Sequence, residues 1–384
     1  MSSLYIGRCY REVIRVDQRE SFLGWQLTLP GQAKRIWHLA ERFGTAENAW
    51  RATEKELVAV GGFTPEGARE MTLRRRGVSP EAVLALLESK GADYISFESP
   101  DYPEMLKNIF DPPPGLFVRG RITGADTQAV AMVGSRRATR YGLTVSTKLA
   151  GELAGAGVTV VSGLARGIDT EAHRGALAAG GRTIAVLGCG VDTAYPRENA
   201  GLMEEISRSG AVLSEFPPGM QPEAWHFPVR NRIISGLSRG VVVVEAAARS
   251  GALITAEFAL DQGREVMAVP GNITSDLSRG TNCLIRQGAR PVESGGQIIE
   301  DLMLEGLFKP GDLGPTGISL GPDEESVYGL AAGGPVALDE LVEGAGLPAQ
   351  RVLVALTFLE MKGLVRQLPG RLYTAAPRMG AGRV

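Results

Sequence analysis

An α/β fold built on an extended, Rossmann-like, doubly wound and mostly parallel sheet is what this 384-residue sequence predicts, and three observations predict it. Between Ala129 and about residue 300, six apolar runs of strand length alternate with helical patterns: 129–134 (AVAMVG), 158–163 (VTVVSG), 183–188 (TIAVLG), 211–216 (AVLSEF), 240–246 (GVVVVEA) and 265–271 (EVMAVPG). Near-continuous Val, Ala and Ile mark strands buried on both faces, hence parallel pairing with helices on each side. The 50 glycines, about 13% of the chain against a usual ~7%, gather where these runs end, as loops that approach a ligand closely require.

Ahead of the sheet, residues 1–90 read as a helical domain. Ala33, Ile36, Trp37, Ala40 and Phe43 recur at helical spacing, as do Val83, Leu84 and Leu87 after Ser79-Pro80. Between them Leu57–Phe63 is a short apolar helix end with a glycine turn, resembling a helix-hairpin-helix or sterile-alpha-motif unit. Its glycines either offer turn amides to a phosphate or simply cap helices. Residues 91–303 form the next domain and open with a connector, 91–128, in which Pro112, Pro113 and Pro114 cannot continue a helix or a central strand. Residues 304–322, rich in Gly and Pro, read as a linker. From 323 to 384 the order helix, helix, long helix, ribbon is that of a winged-helix module. Its acidic second helix and apolar third helix weigh against reading the major groove and leave protein docking open.

Composition bounds the chemistry. The net charge of −2 means that nucleic-acid binding has to come from local clustering, and 34 of the 41 basic residues are arginine, whose planar fork suits phosphate. Cys9, Cys189 and Cys283 form no CxxC pair, and His38, His173 and His226 lack HxxxH spacing, so neither a disulfide framework nor a metal site is expected. No apolar run approaches the ~18–20 residues that span a bilayer, and the first twenty residues offer no signal-peptide core. A cytoplasmic protein with no membrane partner is expected. A Walker A motif, a GxGxxG after the first strand and a GxSxG are all absent, which disfavours P-loop hydrolysis, a dinucleotide cofactor and hydrolase chemistry; no cofactor is expected.

Ligands of such sheets bind outside the carboxyl ends of the strands. There the sequence places Gly134-Ser135-Arg136, then Ser162-Gly163 with Arg166, then Tyr195 and Arg197. Phe227 with Arg230-Asn231-Arg232 follow, and after them Arg249-Ser250-Gly251. Glycine or serine opening a helix presents backbone N–H groups at the positive end of the helix dipole. Arg136, Arg166, Arg197, Arg230 and Arg232 are expected to converge on one rim as a phosphate-lined groove. Phe227 and Tyr195 either stack on bases or pack in the core, and Lys148 and Arg264 are weaker candidates. Asp169, His173, Glu245 and Glu257 are read as caps and arginine holders ahead of a catalytic role.

The run from Ser162 to Asn199 (SGLARGIDTEAHRGALAAGGRTIAVLGCGVDTAYPREN), followed by FPVRNRIISGLSRGVVVVEA, SGALITAEFALDQGREVMAVPG and GTNCLIRQGA, resembles the DprA/Smf family of DNA-processing proteins. The upstream DPPPGLFVRG and the GSR…YG motif belong to the same pattern. The resemblance covers roughly residues 94–300. It implies a non-enzymatic protein that binds and protects incoming single-stranded DNA in natural transformation and homologous recombination, and that loads the RecA recombinase. Single-stranded DNA-binding protein is a further partner to test, and a homodimer through the Rossmann domain is implied. By this analogy the binding set is Ser135, Arg136, Ser162, Gly163, Arg166, Arg197, Phe227, Arg230, Asn231, Arg232, Ser250 and Gly251, with no catalytic or metal residue. The alternative is a nucleotide-binding phosphoribohydrolase of related fold, whose PGGxGTxxE motif would align with Arg249–Glu257. There the threonine and glutamate survive and the double glycine does not. A third reading is a transcription regulator acting through the winged helix.

Overall fold

The computed structural model describes residues 18–304, 321–332, 334–361, 364–368 and 372–375. Cys9 and the stretch 305–320, which holds most of the expected linker, lie outside these residues. Contacts divide the chain into two units, Met1–Lys309 and Pro310–Val384.

All six apolar runs of the first unit form strands: β3 (Ala129–Val133), β4 (Thr159–Ser162), β5 (Thr183–Leu187), β6 (Ala211–Ser214), β7 (Gly240–Val243) and β8 (Glu265–Ala268). They pair in parallel in the order β6-β5-β4-β3-β7-β8. A short strand, β9 (Arg290–Pro291), extends the β8 edge, also in parallel. The chain winds outward from β3 to β6, then returns to place β7 beside β3, with Val130 opposite Gly240 and Val133 opposite Val243. The strand order therefore reverses between β3 and β7, and the crevice above that point is where a doubly wound sheet receives a ligand.

The connector differs from its sequence reading. Pro112–Pro114 stop short of the ladder, and Gly115–Gly120 (β2) runs antiparallel to β6, with β1 (Ala92–Ser96) antiparallel outside it. Burial drives this. Leu116, Phe117 and Val118 are all buried, so residues that look like a tether lengthen the sheet by two strands.

Alternation along the strands makes the two core layers. Ala129, Ala131 and Val133 pack with Ile233, Leu237 and Ala256 on one face, while Val130 and Met132 pack with Leu149, Leu153 and Ala172 on the other. The N-terminal helices join the first layer, with Phe22, Trp25, Ile36 and Trp37 in the same core. Among the described residues six helices precede β1, and four of them have side-chain caps: Thr45, Thr53, Thr64 and Ser79 accept from the amides of Asn48, Glu56, Gly67 and Ala82. Polar contacts fix these helices to the sheet edge. The Trp37 indole donates to the Pro112 carbonyl (2.7 Å), and the Gln26 amide donates to the carbonyls of Gly115 and Glu215.

The second unit has the winged-helix order. Helices Pro322–Ala331, Leu338–Ala345 and Ala349–Met361 accompany a three-stranded sheet of Val336–Ala337, Leu372–Ala375 and Val365–Leu368. Val352, Ala355, Leu356 and Leu359 of the third helix are buried, whereas Leu353, Val354 and Phe358 are exposed. Among the described residues no helix is long and apolar enough to cross a membrane.

Candidate nucleic-acid interface

A cleft of about 510 Å³ opens over the β3–β7 switch point. Its walls come from the segments after these strands, and glycine makes their approach possible. A Cβ at Gly134 would stand 2.6 Å from Ile168 Cγ1 and 2.9 Å from the Glu245 carbonyl oxygen. With only hydrogen there, the Ser135 amide donates to that carbonyl (2.7 Å) and the Ile168 amide donates to Ser135 O (3.2 Å). Gly167, at φ +75°, takes the left-handed turn beneath Ser135 that a side chain would obstruct. Opposite, Ser250 caps helix Gly251–Asp261 by accepting from the Ala252 amide. The start of that helix lines the cleft and presents its partial positive charge there.

Side-chain charge adds to this. Arg136, Arg137 and Arg249 line the cleft and are exposed. No carboxylate lies within ion-pairing distance of them among the described residues. Arg230 also lines the cleft but is buried. Its Nη1 donates to the carbonyls of Gly163 (2.7 Å) and Val186, and its Nε donates to Asn231 Oδ1 (3.2 Å). Burial lowers its pKa to about 10, so it stays a cation at neutral pH. The acid in the lining is Asp169, which accepts from the amides of Gly163 and Ala165. Burial raises its carboxyl pKa, opposed chiefly by Arg230. A polyanion therefore meets cations and helix-terminal amides with little opposing charge.

At the rim, the Arg136 guanidinium lies over the Phe227 ring, 4.8 Å from its centroid. Tyr195 stands beside the same ring at 5.6 Å, the planes 35° apart.

Seven of the twelve residues expected at the site line the cleft: Ser135, Arg136, Phe227, Arg230, Asn231, Ser250 and Gly251. The others lie elsewhere. Ser162 is buried and donates to the Met132 carbonyl, and Gly163 supplies the carbonyl that seats Arg230. Arg166 is exposed but held by Glu198 at 2.5 and 2.9 Å, and Arg197 sits exposed on the neighbouring 3-10 turn. Arg232 is the clear correction. It is 3% exposed, and Nη2 donates to the 1%-exposed Glu215 at 2.9 Å while Nε faces Asp111 at 3.2 Å. Three residues later than Val229 on the same helix, it points into the packed layer, where those carboxylates outweigh the cost of burying its charge. The five-arginine rim thus reduces to Arg136 and Arg230, and the sequence reading passed over Arg137 and Arg249. Their signal was present, as a second arginine in Gly134-Ser135-Arg136-Arg137 and an arginine immediately before a helix cap. Of the weaker candidates, Lys148 faces Glu152 and Arg264 donates to Met105 O.

Glu245 and His173 serve the frame. The Glu245 carboxylate accepts from the Thr139 amide (2.8 Å) and hydroxyl (2.6 Å). The Thr183 hydroxyl gives its proton to Val160 O, so His173 Nδ1 must donate to it, at 2.6 Å. Glu257 is exposed and outside the cleft lining.

The family model for DNA recombination-mediator protein A matches residues 93–303, more than half of the chain and all of the sheet from β3 to β9. The chain belongs to the DprA family. A DprA winged helix domain matches residues 313–371. Protein Smf of Synechocystis is 36% identical over 87% of this chain and 93% of its own length, and Protein Smf of Escherichia coli is 40% identical over 84% and 88%. Among solved structures, DprA of Streptococcus pneumoniae superposes with a TM-score of 0.65 at 37% identity, covering 75% of this chain and 99% of that one. DNA processing protein A of Helicobacter pylori, described for its single-stranded DNA binding mode, gives 0.50 at 32% identity over 55% and 96%.

Proposed function

We propose that this DprA-family chain binds single-stranded DNA in the switch-point cleft, without chemistry on the strand, and delivers the strand to the RecA recombinase. One observation carries the reading: Arg136, Arg137 and Arg249, without a carboxylate partner among the described residues, line one cleft with the capped start of helix Gly251–Asp261 and the buried Arg230. Backbone amides and arginine forks together suit a phosphodiester, and an adjacent aromatic supplies a surface for unstacked bases. The single-stranded DNA binding of the Helicobacter pylori relative supports the same ligand. A homodimer through the sheet domain would put two clefts on one strand and raise the effective affinity by linkage.

Fluorescence anisotropy with a labelled oligo(dT) tests the reading. Arg136→Ala weakens binding several-fold and lowers the slope of log K against log salt by about 0.7, the share of one phosphate contact on a single strand. Unchanged affinity and slope would remove the cleft from the binding site. The recombinase step is tested separately, by RecA filament formation on strands already covered by single-stranded DNA-binding protein. Acceleration is expected, and its absence would confine the function to binding.

A further inference from the structure

Phe227 sits in the first turn of helix His226–Gly236, and its placement is fixed from below. A Cβ at Gly188 would stand 3.1 Å from its Cδ1, and the preceding His226 is held by Gly188 O (2.9 Å) and by the Phe216 ring at 4.1 Å. Above, the Arg136 guanidinium covers the ring at 4.8 Å. A base can reach that face only by displacing the guanidinium. Arg136, for its part, has no hydrogen bond or carboxylate to hold it among the described residues, and a long side chain without a fixed partner loses rotamer freedom when it meets a phosphate. The cation–π contact is what remains to set its direction. Next in the row is Tyr195, 41% exposed, with the exposed Arg197 two residues on.

We infer that Phe227 is a positioning residue that holds the Arg136 guanidinium over the cleft for a phosphate, and that the aromatic surface met by a base is Tyr195. This rests on the strand-binding reading of the cleft. It divides the rim into an electrostatic half, Phe227 with Arg136, and a stacking half, Tyr195, and the two respond differently to salt.

The test uses the full chain, a labelled oligo(dT) and a salt titration for Arg136→Ala, Phe227→Leu, their double variant, Tyr195→Ala and Tyr195→Phe. Phe227→Leu keeps apolar volume and removes the ring. It is expected to lower the salt slope by about 0.7 as Arg136→Ala does, and the double variant to bind within about two-fold of Arg136→Ala alone, because both remove one contact. Tyr195→Ala is expected to lose about five-fold or more in affinity with an unchanged slope, and Tyr195→Phe to restore it. An unchanged slope for Phe227→Leu with multiplying losses in the double variant, or wild-type binding by Tyr195→Ala, would overturn the inference. If Phe227→Leu fails to fold, the Tyr195 variants decide alone. If Arg136→Ala itself changes neither affinity nor slope, the strand-binding reading fails, and this assignment falls with it.

Discussion

Removing the Arg232 side chain separates architecture from binding more sharply than any other change in this protein. Arg232 lies in an Arg-Asn-Arg run, yet it is 3% exposed and paired with Glu215, which is 1% exposed. Burial works against the Arg232 charge, and Glu215 and Asp111 together outweigh it, leaving its pKa above the ordinary arginine value. Arg232→Ala leaves the Glu215 carboxylate buried without its cation, a loss of about 3–5 kcal/mol. At roughly 2–4 °C per kcal/mol for domains of 150–250 residues, melting should fall by roughly 6–20 °C. The loss also has a pH signature. Burial already holds the Glu215 carboxyl above its ordinary value, and without Arg232 it rises further. A carboxyl with a raised folded-state pKa destabilises the fold as pH rises through the unfolded value, so the deficit is smaller at pH 5 than at pH 8. Adding Glu215→Gln should recover much of the loss at pH 8. Calorimetry at the two pH values, with oligo(dT) titrations below the melting range, provides the assay. A variant as stable as the parent whose salt slope has dropped would refute the reasoning and return Arg232 to the DNA.

The exposed Arg166–Glu198 pair is cheap to break, so Glu198→Gln frees a cation near the cleft. Oligo(dT) affinity is expected to rise by up to about five-fold, and an unchanged or weaker affinity would place Arg166 off the strand's path. His173 is held neutral by burial, with Arg230 adding to the effect, and its pKa is lowered to about 3. The unfolded chain binds its proton near pH 6.5, so stability is lost as pH falls below that value, on the order of 2 kcal/mol by pH 5. His173→Gln should flatten acid unfolding between pH 6.5 and pH 4, and an unaltered curve would mean that other groups set it.

The sheet was legible because strands buried on both faces must be apolar throughout, as in Val241–Val244, and because helical patterns separate them. β1 and β2 were not, since what decides a Pro-flanked segment is whether an edge such as β6 is available to it. At the site, Ser135, Arg136, Ser250 and Gly251 were readable from their position just after strands. Arg232 and Ser162 were not, because a side chain's direction depends on partners remote in sequence. Arg232 turns inward to Glu215 and to Asp111, 121 residues away, and Ser162 to the carbonyl of Met132 on the adjacent strand. Arg249 and Arg137 show the converse, since they stay exposed with no carboxylate within ion-pairing distance among the described residues.

The most direct test is a crystal structure of the full chain with a short oligo(dT). Phosphate density is expected within hydrogen-bonding reach of the Gly251 turn and of the Arg136 guanidinium, with Arg232 still on Glu215. A strand bound to another surface, with the β3–β7 crevice holding only water, would contradict the assignment.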